Sequence, residues 1–230
     1  PRVRWIGNVT ADNRLEALGI VAPASVYWNL STAALYEEAV ARREGIVAVD
    51  GPIVCRTGER TGRSPRDRFL VDEPSSSANV AWGDVNRPIA PDKFEAVHQA
   101  VIEHLRGKDL FVQDCYAGAD PAYRLPIRVV TECAWHGLFA RHMFITEPDR
   151  EKLDGHRPEL TVINAASCHT DPTAHGTNSD VFILLDFSKR LVLIGGTGYA
   201  GEIKKSVFTV MNYLLPLRRV MPMHCSANIG

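Results

Sequence analysis

The sequence predicts an α/β fold built on a mixed β-sheet flanked by helices. Three observations carry this. Short apolar runs without helical period recur at residues 110–112, 127–130, 160–163, 181–187 and 191–194, the pattern of strands covered on both faces. Residues 92–106 place Phe94, Val97, Val101, Ile102 and Leu105 at helical spacing, and residues 202–215 do the same with Ile203, Val207, Val210, Met211 and Leu214. Strand and helix patterns alternate irregularly, which favours a mixed sheet over a strictly parallel one.

The remaining elements follow from local chemistry. Residues 12–19 read as a short helix capped by Asp12 and stopped by Gly19. Ser31 or Thr32 caps a helix running to Arg43, with Gly45 as its stop. A strand is expected over 46–49. Residues 55–68, rich in Gly, Arg, Thr and Ser and containing Pro65, read as a polar loop, and Ser75-Ser76-Ser77 as a mobile surface loop. Gly107 stops the helix at 92–106. Residues 135–142 form a short aromatic helix, and Pro216 ends the last one. No internal repeat or low-complexity tract interrupts this order.

A chain of 230 residues accommodates one large domain or two small ones and buries a sizeable core. Hydrophobic residues at 45% and charged residues at 23% are ordinary globular usage. A formal charge of -1 lacks the basic excess of a nucleic-acid or membrane-surface protein. No stretch reaches the ~20 apolar residues of a membrane span, and no basic-then-apolar leader opens the chain. The first residue is Pro1, as expected of a processed start or of a piece of something longer. The five cysteines (Cys55, Cys115, Cys133, Cys168 and Cys225) are odd in number, widely spaced and without a C-x-x-C. That argues against a disulfide framework or a zinc site and for reduced thiols, packed as small apolar residues, in a cytoplasmic protein.

The most informative local signal follows the run at 191–194. Gly196, Gly198 and Gly201 form a G-x-G-x-x-G between a strand and a helix, the setting of a dinucleotide-binding turn. A nicotinamide site also needs an acidic residue about 20 positions later for the ribose. No Asp or Glu follows Glu202, so a nicotinamide-dependent oxidoreductase is the weaker reading. Nor is this a Walker loop, since Glu202 follows where Lys should. The glycines would instead let backbone approach a ligand, with amide donors from the helix start and point charges from Lys204 and Lys205. Consecutive lysines usually mark a solvated face. They point about 100° apart on a helix, and Lys205 leans toward the apolar side. Partial burial there favours a neutral amine able to ligate a metal or accept a proton. His224, in the closing run Met223-His224-Cys225-Ser226-Ala227-Asn228, is a structural histidine or a metal ligand.

A second signal is Arg60-Thr61-Gly62-Arg63-Ser64-Pro65-Arg66-Asp67-Arg68, with four arginines in nine residues. It is an exposed basic loop or a clamp for carboxylate or phosphate, for which the planar guanidinium is suited. His136 and His142 in the aromatic helix, and His169 and His175 in a polar loop, carry less weight. Ser64 and Ser226 lack a nucleophile elbow.

Five segments in order, 61–67, 114–120, 201–205, 211–216 and 223–228, together resemble the ATP-dependent phosphoenolpyruvate carboxykinases. The resemblance runs from about Arg14 to the last residue. It implies a substrate-binding α/β domain over 1–220 and, at 221–230, the start of a nucleotide-binding domain. The Walker-type loop and the aspartate that completes the metal site would fall after Gly230, so a 230-residue chain is expected to be inactive alone. The resemblance implies decarboxylation of oxaloacetate and phosphorylation of the enolate by ATP, giving phosphoenolpyruvate, CO2 and ADP in gluconeogenesis, with Mn2+ at the protein site and Mg2+ on ATP. By the same resemblance Arg63 holds the substrate carboxylate and Tyr199 contacts substrate or CO2. Lys205 and His224 ligate Mn2+ near the γ-phosphate, and Lys204 is an auxiliary anion contact. Arg66 and Arg68 stand where the family more often has lysine, which keeps the charge. A non-catalytic module that binds dicarboxylate or phosphate is the alternative.

Overall fold

Apolar runs covered on both faces must lie inside a sheet, and here they form its centre. The computed structural model describes residues 3–225, 228 and 229; Ser226 and Ala227 of the closing motif lie outside the described residues, as do Pro1, Arg2 and Gly230. In chain order the strands and helices are β1 (Arg4–Gly7), β2 (Ser25–Trp28), α1 (Thr32–Ala41), β3 (Gly45–Val47), β4 (Ile53–Cys55), β5 (Arg68–Val71), β6 (Arg87–Ile89), α2 (Pro91–Leu105), β7 (Asp109–Ala117), β8 (Leu125–Thr131), α3 (Ala134–Met143), α4 (Arg150–Asp154), β9 (Leu160–Ala165), α5 (Pro172–His175), β10 (Phe182–Asp186), β11 (Leu191–Gly195) and α6 (Gly201–Leu217). Nine strands make one sheet in the order β1-β2-β7-β8-β9-β11-β10-β5-β6, and β3-β4 form a separate hairpin. The β7–β8 and β10–β11 pairs are antiparallel and the other pairs of the large sheet are parallel. The expected mixed α/β sheet is therefore present.

Strand alternation divides the core between the two faces. On one face Ile163, Ala165, Leu184, Leu191 and Leu193 pack with Phe94, Val97, Val101, Ile102 and Leu105 of α2. On the other, Leu160, Val162, Ile183, Leu185, Val192 and Ile194 pack with Ile203, Val207 and Val210 of α6. Helix α1, N-capped by Ser31 whose Oγ accepts from the Ala34 amide, joins α3 in a smaller cluster around Tyr27, Leu35 and Phe111.

Several local expectations are corrected. Residues 12–19 give only a 3-10 turn at Leu15–Leu18; Asp12 caps nothing there and accepts from Arg14 Nε instead. Gly19 does close it, with φ of 80°. Helix α1 ends at Ala41, and Gly45 begins β3. The serines at 75–77 are not a loose tip: Glu73 accepts from both the amide and the hydroxyl of Ser75, and Ser76 is buried. Pro216 lies inside the last turn of α6, which runs on to Leu217. A proline this close to the C-terminus removes a single ladder bond, so the helix survives it. The five cysteines are free, but only Cys115 and Cys168 are buried and Cys225 is exposed.

The sheet also buries one ionic knot. Asp114 on β7 accepts from Arg128 Nε at 2.7 Å, Trp28 Nε1 at 2.8 Å and Thr10 Oγ1 at 2.9 Å, and the Arg128 guanidinium lies over the Trp28 ring. Asn29 Oδ1 accepts from the Asp114 amide. Removing one partner strands a buried charge. Asp114→Ala is expected to lower unfolding stability by about 3–5 kcal/mol, read as a fall in the urea midpoint.

Candidate active site

Strands β8, β9 and β11 run parallel, so their carboxyl ends open on one edge of the sheet. Ligands of α/β sheets bind outside such ends. Three segments leave this edge together. Helix α3 starts just after β8, the turn at residues 196–200 links β11 to α6, and the polar loop before β5 folds over both. They enclose a cavity of about 570 Å³ lined by Thr57, Arg63, Trp135, Phe139, Met143, Tyr199, Ala200, Gly201, Lys204, Lys205 and His224.

All five residues singled out in the sequence thus share one cavity: Arg63, Tyr199, Lys204, Lys205 and His224. None of the lining residues is acidic. Trp135, Phe139 and Met143, spaced four apart on α3, supply an apolar wall. Partial burial and the charges of Arg63, Lys204 and Arg68 lower the Lys205 pKa, and the charges of Lys204 and Lys205 lower that of His224. Both shifts favour neutral nitrogen donors. His224 Nε2 lies 2.6 Å from Lys204 Nζ, an arrangement in which the ammonium donates to a neutral imidazole.

The expected four-arginine clamp reduces to Arg63. Arg68 instead donates to Thr209 Oγ1, Val85 O and Asn86 Oδ1. Arg60 faces Asp180 at 4.0 Å, and Arg66 is exposed and does not line the cavity. The glycines also do a different job from the one expected. Gly196 has φ of 70°, and a Cβ there would stand 2.6 Å from Asp180 O. A Cβ at Gly198 would press on the Thr57 backbone, and one at Gly201 would lie 2.5 Å from the Tyr199 ring. These glycines let the chain approach itself, so the fingerprint forms no dinucleotide cradle.

Two residues at the site escaped the sequence reading. Glu202 is 4% exposed, and its Oε1 accepts from the Ser64 amide at 2.7 Å. Burial raises its pKa, against the hydrogen bond from Ser64 and the nearby charges of Arg63 and Arg68. His136 is fully buried, with Nε2 2.9 Å from Gly198 O and Nδ1 3.2 Å from Asn164 Nδ2. Burial pushes its pKa down to about 4. A lone acid before two lysines and a histidine among aromatics gave no signal; only contacts across 138 and 62 residues reveal them.

A family model described as phosphoenolpyruvate carboxykinase matches residues 24–230. The chain belongs to the phosphoenolpyruvate carboxykinase family. A phosphoenolpyruvate carboxykinase (ATP) from Geobacter sp. (strain M21) is 50% identical over 223 residues, 97% of this chain and 42% of the relative. The one from Geotalea uraniireducens (strain Rf4) is 51% identical over 226 residues, 98% of this chain and 42% of the relative. The one from Thermus thermophilus is 52% identical over 221 residues, again 42% of the relative. The chain thus spans about two fifths of the length of these curated relatives. No helix among the described residues is long and apolar enough to cross a membrane.

The family's carboxykinase chemistry can be set against the donors present. Lys205 and His224 offer two nitrogens whose lowered basicity suits a divalent cation. No cluster of three or more His, Cys, Asp or Glu side chains among the described residues could hold one. Two nitrogens fit only part of a coordination shell.

Two outcomes test this geometry. Glu202→Leu leaves the Ser64 amide without its acceptor, whereas Glu202→Gln keeps an oxygen there. Amide exchange at Ser64 is expected to accelerate in the first variant and stay near wild type in the second, with about 1–3 kcal/mol of stability lost in the first. For His136 the folded pKa lies below the usual 6.5, so the unfolded chain binds the extra proton first. This histidine's stabilising contribution is full above pH 6.5 and is lost as pH falls toward 4, by roughly 3 kcal/mol. His98 and His156 shift in the same direction. The comparison of wild type with His136→Gln isolates the effect as a flatter stability profile between pH 6.5 and 4.

Proposed function

We propose that this chain is the substrate-side part of an ATP-dependent phosphoenolpyruvate carboxykinase, which decarboxylates oxaloacetate and phosphorylates the resulting enolate to phosphoenolpyruvate, with CO2 and ADP as the other products. The observation that carries the reading is the meeting of Arg63, Tyr199, Lys204, Lys205 and His224 in one cavity with no acidic lining residue. Oxaloacetate, phosphoenolpyruvate and the phosphates of ATP are all polyanions, and a cavity of this composition suits them.

The roles follow from side-chain chemistry. Arg63 grips the substrate carboxylate with its planar fork of donors. Tyr199 contacts the substrate or the released CO2. Decarboxylation leaves an electron pair that becomes an enolate, and fixed cations next to it lower the barrier by meeting charge as it develops. Arg63 and Lys204 supply that charge, and Lys204 then faces the transferred phosphoryl group, whose chemistry depends on positioning and neutralisation. The apolar wall of Trp135, Phe139 and Met143 limits water, which strengthens each of these interactions. Lys205 and His224 would hold Mn2+, which when bound adds Lewis-acid charge beside the enolate. ATP with Mg2+ would be held mostly by parts of the protein outside this chain.

In this reading residues 1–220 form the substrate domain and residues 221–230 begin the nucleotide domain. The enzyme serves gluconeogenesis in the cytoplasm, a reducing setting that accords with the five free thiols. Nucleic acid and membrane are not partners, in keeping with the near-neutral charge.

Calorimetric titration with phosphoenolpyruvate and with oxaloacetate, in the presence of MnCl2, tests the proposal. Wild type is expected to bind both, and Arg63→Ala to bind at least about tenfold more weakly, the size of a lost charge-assisted hydrogen bond. Equal binding by the two proteins would remove Arg63 from the site. The 230-residue chain alone is expected to show no ATP-dependent conversion of oxaloacetate, and measurable turnover would overturn the assignment of the nucleotide side to other residues.

A further inference from the structure

Tyr199 brings a hydroxyl to the cavity, as Thr57 does, and its direction depends on a short turn of small residues. Gly198 sits against the Thr57 backbone on one side, where a Cβ would lie 3.0 Å from Thr57 O. On the other side its carbonyl meets His136 Nε2 at 2.9 Å. Thr197 Oγ1 accepts from the Tyr199 amide at 3.1 Å, and the Tyr199 ring lies where a Gly201 side chain would be. Of these contacts, the one from His136 comes from a different element and from a fully buried side chain.

A carbonyl only accepts, so the hydrogen between these atoms belongs to His136 Nε2. The other ring nitrogen then has no hydrogen and must accept, and Asn164 Nδ2 at 3.2 Å is the donor that faces it. Asn164 is itself buried on β9. The pair holds one tautomer by hydrogen bonds at both nitrogens. The same ring packs against Trp135, with centroids 4.0 Å apart, and Trp135 lines the cavity beside Tyr199. One imidazole therefore supports two neighbouring walls of the site.

We propose that His136, fixed in its Nε2–H tautomer by Asn164, is a positioning residue: it pins the Gly198 carbonyl and so aims Tyr199 into the cationic cavity. The inference deepens the carboxykinase reading and rests on it for the identity of the ligand. Without the imidazole donor the Gly198 carbonyl loses its buried partner, and the peptide between Gly198 and Tyr199 keeps only the Thr197 hydroxyl and the packing on Thr57 as restraints, at a residue whose own torsions are permissive. A structural filler of the same shape would not replace it.

The test compares wild type with His136→Gln, which retains an N–H donor, and His136→Phe, which retains bulk alone. Ligand-free protein is examined first. Imidazole 15N shifts in wild type should report a neutral Nε2–H tautomer between pH 8 and 5. The Tyr199 amide should exchange faster in the phenylalanine variant and near the wild-type rate in the glutamine variant. Phosphoenolpyruvate titration follows, with about tenfold weaker binding expected for the phenylalanine variant and binding within about twofold of wild type for glutamine. An Nδ1–H tautomer in wild type overturns the proposal, and does so even where the phenylalanine variant fails to fold. Unchanged Tyr199 exchange in a folded phenylalanine variant overturns it as well. Failure of wild type to bind phosphoenolpyruvate instead counts against the carboxykinase reading, and the ligand-free measurements then judge His136 alone.

Discussion

The site depends on one buried carboxylate. Glu202 opens α6, and its Oε1 takes the Ser64 amide at 2.7 Å, which ties the loop bearing Arg63 to the helix bearing Lys204 and Lys205. It is also a counter-charge in a cationic neighbourhood: burial and the charges of Arg63, Lys204 and Arg68 depress Lys205, and Glu202 opposes them. Like charges held together cost free energy until an anion arrives. Under the proposed function a polyanionic ligand would relieve that repulsion on binding, and the assembled cations would act without rearranging as negative charge develops. Folding carries this cost in advance, a common trade of stability for function. The two ionic features differ in kind. Asp114 and Arg128 pair with each other inside the core, while the open cavity gathers Arg63, Lys204 and Lys205 with no acidic lining residue.

The sheet explains why such distant residues meet. Parallel pairing of β8, β9 and β11 brings three carboxyl ends to one edge, and each end is followed by a segment that lines or supports the cavity. Helix α3 follows β8 and supplies His136 and the apolar wall. Asn164 sits near the end of β9 and β11 leads into the glycine turn and α6. The antiparallel β10 starts from the same edge, and just before it Asp180 meets Gly196. The parallel β5 then starts from this edge, so the loop that precedes it is delivered over the cavity. Topology supplies proximity, and hydrogen bonds from Glu202 and His136 supply register.

What the sequence made legible follows from this division. The strands at the centre of the sheet and the helices α2 and α6 bury repeating apolar faces, so their patterns were readable; Phe94, Val97, Val101, Ile102 and Leu105 are all buried as the spacing required. The strands β1, β2, β5 and β6 were missed. They are short, three or four residues each, and are defined by pairing with partners distant in sequence. β6 even contains Pro88, admissible because it lies on the sheet edge. In the site, Lys204, Lys205, His224 and Arg63 each kept a bland alternative in the sequence, and the fold brings them to one cavity. Glu202 and His136 were not readable, because an acid on a helix and a histidine among aromatics acquire their roles only from contacts made by the fold.

The glycine pattern shows the same limit from the other side. A G-x-G-x-x-G between strand and helix is produced wherever backbone must come close to something at that turn, and the sequence does not say to what. In a dinucleotide site the neighbour is a pyrophosphate. Here it is the chain itself: Asp180, Thr57 and the Tyr199 ring occupy the space that side chains at Gly196, Gly198 and Gly201 would need. The consequence is functional, because a turn packed this closely holds Tyr199 and the start of α6 in fixed relation to each other. The anion is then left to the charges beyond the turn, where two lysines and a histidine stand on the open side of the helix. Glycines that usually receive a phosphate here build the surface from which other residues can reach one.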